Sequence, residues 1–224
     1  MSALWTTRSD GDLRDLGRSV PLPAAVPAGL VLERLRQVHG SDVVLIDDEA
    51  GVGAGVGAGR AGQRAAEGDA LVGTRRDRVV AVFTADCAAV ALASADGAYG
   101  AVHAGWRGLL AGVVETAVER VRSLGDCLVV AGLGPCIGPC CYGFAGPALD
   151  ALADRYGSGV RATTSRGESA LDLAGAVRQA LAGAGVALVV DEARCTGCTA
   201  DAWSYRVRHD EARQALLVWR ERGG

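Results

Sequence analysis

The 224-residue chain contains no lysine and no asparagine, so all 23 of its basic residues are arginine. Without lysine there is no Schiff-base chemistry, no lysine general base and no P-loop lysine. Histidine is nearly absent too: His39, His103 and His209 are the full set. No stretch of about 18 apolar residues escapes interruption by Gly, Asp or Arg, which argues against a membrane-spanning helix. The opening MSALWTTRSDGDLRD has no apolar core of the signal-peptide kind. The net charge of −3 provides no global pull toward nucleic acid or anionic lipid. These absences predict a cytoplasmic protein with neither a nucleic-acid nor a membrane partner.

What is present is globular. Half the residues are hydrophobic and 22% are charged, which suits one domain with a full core. The abundance of Ala, Gly and Arg reads as a compositional bias, so a single Arg carries less information than a single His. Seven cysteines (Cys87, Cys127, Cys136, Cys140, Cys141, Cys195 and Cys198) form an odd set. In a reducing compartment they are expected to be thiols rather than a disulfide framework.

Along the chain, residues 1–29 are polar and then Pro-rich, and read as an edge strand or extended arm. Leu30 to Ile46 reads as two short apolar runs around the turn QVHGSD, with His39 at a strand end. Residues 51–59, GVGAGVGAG, repeat G-x-G-x-G and never give G-x-G-x-x-G, so they read as a loop and not a dinucleotide fingerprint. Strands are expected at Ala70–Val72, Val79–Phe83, Ala89–Ala93 and Ala98–His103, the last two as a hairpin around Ser94-Ala-Asp-Gly97. Apolar residues at helical spacing predict one amphipathic helix from about Trp106 to Arg122. A buried strand Leu128–Leu133, helices at Gly146–Tyr156 and Leu171–Ala182, and strands at Val186–Val190 and Leu216–Trp219 complete the pattern. The fold class is therefore α/β or α+β, a single domain with a mixed sheet.

Three separated segments place chemistry at strand ends: QVHG with His39, TADC with Cys87, and VHAGWRG with His103. A thiolate and two neutral imidazoles suit Zn²⁺, and three protein ligands leave a fourth position open, as catalytic sites do. The same residues also permit a different reading, with Cys87 as nucleophile, His103 as its base and Asp86 or Asp69 as the orienter. Metal content separates the two. Arg107, in the first turn of the expected helix, could meet a phosphate or another anion, or be a solvated surface residue. A second group, Cys136-x₃-Cys140-Cys141 with Cys195-x-x-Cys198, has imperfect zinc spacing across roughly 55 residues. Four of these could make a structural zinc site, but inert or loosely paired thiols are the expectation. His209, within the polar run RVRHDEAR, reads as exposed.

QVHG, TADC, HAGWRG, GPCIGPCCY and the late Trp203-Ser204-Tyr205-Arg206 occur in one order from about Val31 to Trp219. Together they resemble the YfiH-type laccase-domain family, whose members have been called multicopper polyphenol oxidases and are also described as zinc-dependent purine nucleoside enzymes. The resemblance implies a single αββα-type domain over residues 1–224, with 1–29 as a shortened N-terminal arm. It implies Zn²⁺ on His39, Cys87 and His103, with copper as the alternative ion. It implies phosphorolysis of adenosine, inosine, guanosine and methylthioadenosine, with purine nucleoside and phosphate as partners, and deamination of adenosine. Asp86 is then the candidate proton shuttle, Arg107 a catalytic and phosphate contact, and Tyr205 and Arg206 substrate contacts. Other readings are a Cys–His hydrolase, including peptidoglycan-precursor editing, or a metal-binding protein with a degenerate pocket. A copper phenol oxidase is disfavoured physically, because three histidines cannot build a blue copper site plus a trinuclear cluster. Monomer and homodimer are both left open. The chain departs from the family in having only about 30 residues between Thr6-Thr7-Arg8 and His39, in having no Asn where the family carries Asn-Leu and Asn-Arg pairs, and in having Gly143 where Glu commonly follows the Tyr.

Overall fold

Alternation with period two organises the centre of the molecule. In β4 (Ala70–Gly73), β6 (Ala88–Ser94) and β7 (Tyr99–Ala104), alternate residues face two different cores. Ala70, Val72, Val90, Leu92 and Val102 face helices, while Leu71, Ala89, Ala91, Tyr99 and Ala101 face a second sheet. The computed structural model describes residues 1–17, 20–46, 66–125 and 128–221. The Gly-rich stretch 51–59, expected as a loop, lies outside the described residues, as does Cys127.

The larger sheet has the order β11-β8-β6-β7-β4-β3, adding β3 (Val43–Leu45), β8 (Val129–Leu133) and β11 (Ala187–Asp191). The β6–β7 hairpin forms as expected, with Val90 opposite Val102 and Ala91 opposite Ala101. The smaller sheet has the order β1-β12-β5-β2, from β1 (Ser2–Trp5), β2 (Val31–Arg34), β5 (Arg78–Thr84) and β12 (Gln214–Trp219). Its inner face (Val80, Val82, Leu216, Val218) packs on the larger sheet. Its outer face (Val79, Ala81, Ala215, Leu217, Trp219) is covered by Leu13, Leu16, Val26 and Leu30 of the N-terminal arm. One outer layer is thus helical, and the arm, with two short 3-10 turns, forms the other. This is the expected single-domain α/β architecture with mixed sheets.

The helical layer differs from expectation in one respect. The single helix predicted over 106–122 is two, α1 (Trp106–Ala111) and α2 (Val113–Arg122). Gly112 between them is left-handed, at φ 84°, a conformation that costs glycine little. At the break the Leu109 carbonyl accepts from the Gly112 N–H at 3.0 Å and from the Tyr156 hydroxyl at 2.6 Å. Helical spacing runs straight through the break, because one left-handed residue hardly disturbs the apolar stripe. The next two helices, α3 (Pro147–Tyr156) and α4 (Leu173–Gly183), lie close to their predicted positions. Asp172 caps α4 by accepting from the Gly175 N–H at 2.8 Å, so residue 171 falls not in the helix but in the short strand β10 (Ser169–Leu171). That strand pairs with β9 (Arg161–Thr163), a two-stranded element not foreseen. The last helix, α5, spans Tyr205–Arg208.

Trp5 of β1 ties the two sheets together. Its indole lies on Gly132 and Gly134, where an added Cβ would collide with the ring, and its Nε1 donates to the Ala89 carbonyl at 3.2 Å. Trp5→Ala is expected to cost about 3 kcal/mol in urea unfolding, since it removes a large ring from a pocket shaped by missing side chains.

Candidate functional site

The two sheets are joined by chain crossings, and the site lies where three of them meet. The first runs from β2 to β3 through Gln37-Val38-His39-Gly40. The second is the three-residue link from β5 to β6, Ala85-Asp86-Cys87. The third runs from β11 to β12 and carries α5. His103 lies at the end of β7, between Val102 and Ala104, where the strand gives way to α1. A strand that changes sheet must turn sharply, and two of the turns show it. His39 (φ 60°) and Asp86 (φ 103°) are non-glycine residues with positive φ.

Each strained turn is held by side chains. The Gln37 amide mimics a strand partner at the end of β5, donating to the Phe83 carbonyl and accepting from the Phe83 N–H, both at 2.8 Å. Asp69 is fully buried and organises the rest. Its carboxylate accepts from the N–H groups of Val38 (3.2 Å), His39 (3.0 Å) and Gly40 (2.6 Å). Its Oδ1 also lies 2.8 Å from His103 Nδ1. One carboxylate therefore fixes the His39 loop and the His103 ring together. Burial works against its charge, but His103 and these N–H groups hold its pKa below the usual carboxylate value.

With Nδ1 committed to Asp69, the other nitrogen of His103 is the one left to bind a metal, as in carboxylate–histidine–metal arrangements. The ligand atoms of His39, Cys87 and His103 all lie within 4.8 Å of one another. Cys87 Sγ is 3.9 Å from His39 Nε2, and the two imidazoles meet edge to face at 4.8 Å. Burial raises the Cys87 thiol, but His103 and His39 outweigh it and draw it down to about 6. His103 is pushed up to about 9, burial being overcome by Cys87 and Asp69. Without a metal these shifts describe a thiolate beside a charged His103; a bound metal would keep the thiolate and displace the proton from the free His103 nitrogen. Two nitrogens, one sulfur and a carboxylate behind one imidazole fit a metal ion. Gly105 makes the closeness possible: a Cβ there would stand 2.9 Å from His39 Cδ2 and 3.2 Å from Cys87 Sγ.

His39, Cys87 and His103 open into a cavity of about 500 Å³. Asp86, Arg107, Tyr205 and Arg206, all expected at the site, also line it, so the fold brings every candidate site residue to one place. Phe83, Trp106, Ile137, Tyr142 and Leu173 give it an apolar wall. The Arg107 guanidinium stacks over Trp106 at 4.5 Å, and that of Arg206 over Tyr142 at 5.2 Å. Asp86 is engaged by the protein itself. Its Oδ1 accepts from the Thr196 hydroxyl and its Oδ2 from the Arg206 N–H, both at 2.6 Å. His209 is exposed, as expected, and caps α5. Gln37, Tyr142 and Arg213 of the lining were not anticipated. Gln37 and Tyr142 lay within the motifs QVHG and GPCIGPCCY, whereas nothing marked Arg213. No helix of the described residues is long and apolar enough to cross a membrane.

Comparison with known proteins adds the following. A family model described as "Multi-copper polyphenol oxidoreductase laccase" matches residues 24–221. "Purine nucleoside phosphorylase ORF3" of Streptomyces griseus is 37% identical over 188 residues, 83% of this chain and 72% of that protein. "Purine nucleoside phosphorylase YfiH" of Escherichia coli is 34% identical over 188 residues, with the same two shares. Among solved structures, YlmD of Geobacillus stearothermophilus superposes with a TM-score of 0.73 at 28% identity, covering 88% of this chain and 76% of that one.

Proposed function

The chain belongs to the family of multi-copper polyphenol oxidoreductase laccase proteins, and from that premise we propose that it is a zinc-dependent purine nucleoside phosphorylase that also deaminates adenosine. The observation that carries this reading is the convergence of His39, Cys87 and His103 in a cavity rimmed by two stacked arginines. The relatives' phosphorylase names support it. The reading takes zinc over copper, because only two of the three histidines reach the cavity and a multicopper centre needs many more. A zinc ion on these three residues supplies a Lewis acid with a coordination position left open.

The chain's own residues do the rest. The apolar wall of Phe83, Trp106, Ile137 and Tyr142 suits a flat purine base. Arg107 and Arg206 offer planar, fork-shaped donors to phosphate, and stacking on Trp106 and Tyr142 limits their motion. Tyr205 borders the same cavity as a sugar contact. Asp86, expected as a proton shuttle, is assigned a positioning role instead. Its two oxygens are spent on Thr196 and Arg206, which pins the segment bearing Arg206 to the Cys87 turn.

The test is zinc analysis of the purified protein with inosine and adenosine turnover measured with and without phosphate. Base release that requires phosphate, in protein with stoichiometric zinc, is the expected result. A His103→Ala variant retaining full turnover would sink the reading. Arg107→Ala and Arg206→Ala are each expected to raise the KM for phosphate roughly 10- to 100-fold, as loss of a charged hydrogen bond worth about 1.5–3 kcal/mol implies. Initial rates at varied phosphate measure it.

A further inference from the structure

We propose a second metal site, a structural Zn²⁺ held by Cys140, Cys141, Cys195 and Cys198. The four sulfurs lie within 4.8 Å of one another. Cys198 Sγ stands 3.6 Å from Cys140 Sγ and 3.5 Å from Cys141 Sγ. A tetrahedral zinc with Zn–S bonds near 2.3 Å needs sulfurs about 3.8 Å apart, and the cluster is close to that spacing. Sequence spacing favoured inert thiols because the two pairs are far apart along the chain. The fold removes the objection: the loops leaving the adjacent parallel strands β8 and β11 run side by side, with Cys136 bridged to Cys195. Cys136 itself is buried and stands outside the cluster.

Three features mark this as a built site. Cys195-Thr-Gly-Cys198 forms a tight turn, with the Cys198 and Thr199 N–H groups donating to the Cys195 carbonyl at 3.1 and 3.0 Å. The two cysteine-bearing loops are also locked together through their backbones, the Thr196 N–H donating to the Cys136 carbonyl at 3.0 Å and the Cys136 N–H to the Arg194 carbonyl at 3.2 Å. Finally, glycines stand where side chains would spoil the approach. A Cβ on Gly197 would lie 3.0 Å from Cys141 Sγ, and one on Gly138 would lie 3.4 Å from Cys195 Sγ. A disulfide uses two sulfurs, whereas Cys198 meets two partners at once and a fourth sulfur completes the shell. Soft thiolates in this number select zinc.

The site stands apart from the His39–Cys87–His103 group and does not depend on what that group binds. Its role is to tie the segment carrying Thr196 and α5 to the β8 loop. Arg208 reinforces the tie, donating to the Gly197 and Thr196 carbonyls at 3.1 and 3.2 Å.

The test compares metal content per chain, by elemental analysis, in protein purified with zinc and without chelator. The variant His39→Ala/Cys87→Ala is expected to keep one zinc per chain. Its cobalt-substituted form is expected to show the intense visible bands of a tetrahedral thiolate site. Cys195→Ser/Cys198→Ser is expected to hold one zinc fewer than the unaltered protein. The proposal is overturned if His39→Ala/Cys87→Ala carries no zinc above background, or if peptide mapping without reductant finds Cys198 in a disulfide. Both results come from chains with all four cysteines, so they decide the matter even if the serine variant does not fold.

Discussion

Asp69→Ala is expected to dismantle the His–Cys–His group and to destabilise the fold at the same time. The carboxylate is fully buried and satisfies three loop N–H groups and the His103 ring. Alanine leaves all four donors without an acceptor, and each buried orphan costs about 1–3 kcal/mol. Partial relaxation and entering water reduce the sum, so a loss of about 3–5 kcal/mol is expected in urea unfolding. Zinc affinity at the site is expected to fall at least 10- to 100-fold, the usual effect of removing a residue that orients a metal-bound histidine. Competition with a chromogenic chelator measures it. Asp69→Asn is not expected to rescue either property, because its NH₂ group would face N–H groups that need an acceptor. A variant with unchanged stability and full zinc would show that the loop and the His103 ring hold themselves in place.

Gly105→Ala is expected to separate metal binding from folding. Gly105 has φ −82° and ψ 168°, an extended conformation open to any residue. Its glycine is therefore required by space alone. The added methyl would meet His39 Cδ2 at 2.9 Å and Cys87 Sγ at 3.2 Å, so two of the three ligands must move. Zinc bound per chain is expected to fall below about one-tenth, since metal sites tolerate only small errors in ligand position. The melting temperature measured in chelator is expected to change little, because the strain is relieved at the rim of an open cavity. A zinc content equal to that of the unaltered protein would mean the His39 loop shifts freely, contrary to its anchoring by Asp69 and Gln37.

The fold was largely legible where local pattern and tertiary environment agree. The alternation in β4, β6 and β7 and the stripe of Val113, Val114, Ala117, Val118 and Val121 in α2 report their own burial. The three metal-competent residues stood out by type, each beside a small residue, although His39 lies in the crossing between β2 and β3 and not at a strand end. Less legible were features made by pairings remote in sequence. The smaller sheet joins segments near residues 3, 32, 81 and 217, and no short window reports such a partnership. Asp69 was offered as an orienter of His103, but its hold on the Val38, His39 and Gly40 N–H groups was hidden for the same reason, since that loop lies about 30 residues away. Even the four clustered cysteines meet only because β8 and β11 are parallel neighbours.

The position of β12 between β1 and β5 bears on how the molecule assembles. β12 supplies Leu216 and Val218 to one core and Ala215, Leu217 and Trp219 to the other. Once residue 191 has been synthesised, the larger sheet and the helices α1–α4 have all their residues, but the core around Leu71, Tyr99 and Ala101 still lacks Leu216 and Val218. That core is completed only when β12 closes a loop of more than 100 residues back to β5. Tyr205 and Arg206 lie just ahead of that strand and dock with it. The nascent chain thus passes through an aggregation-prone interval in which His39, Cys87 and His103 are already present while Tyr205, Arg206 and Arg213 of the cavity lining are not.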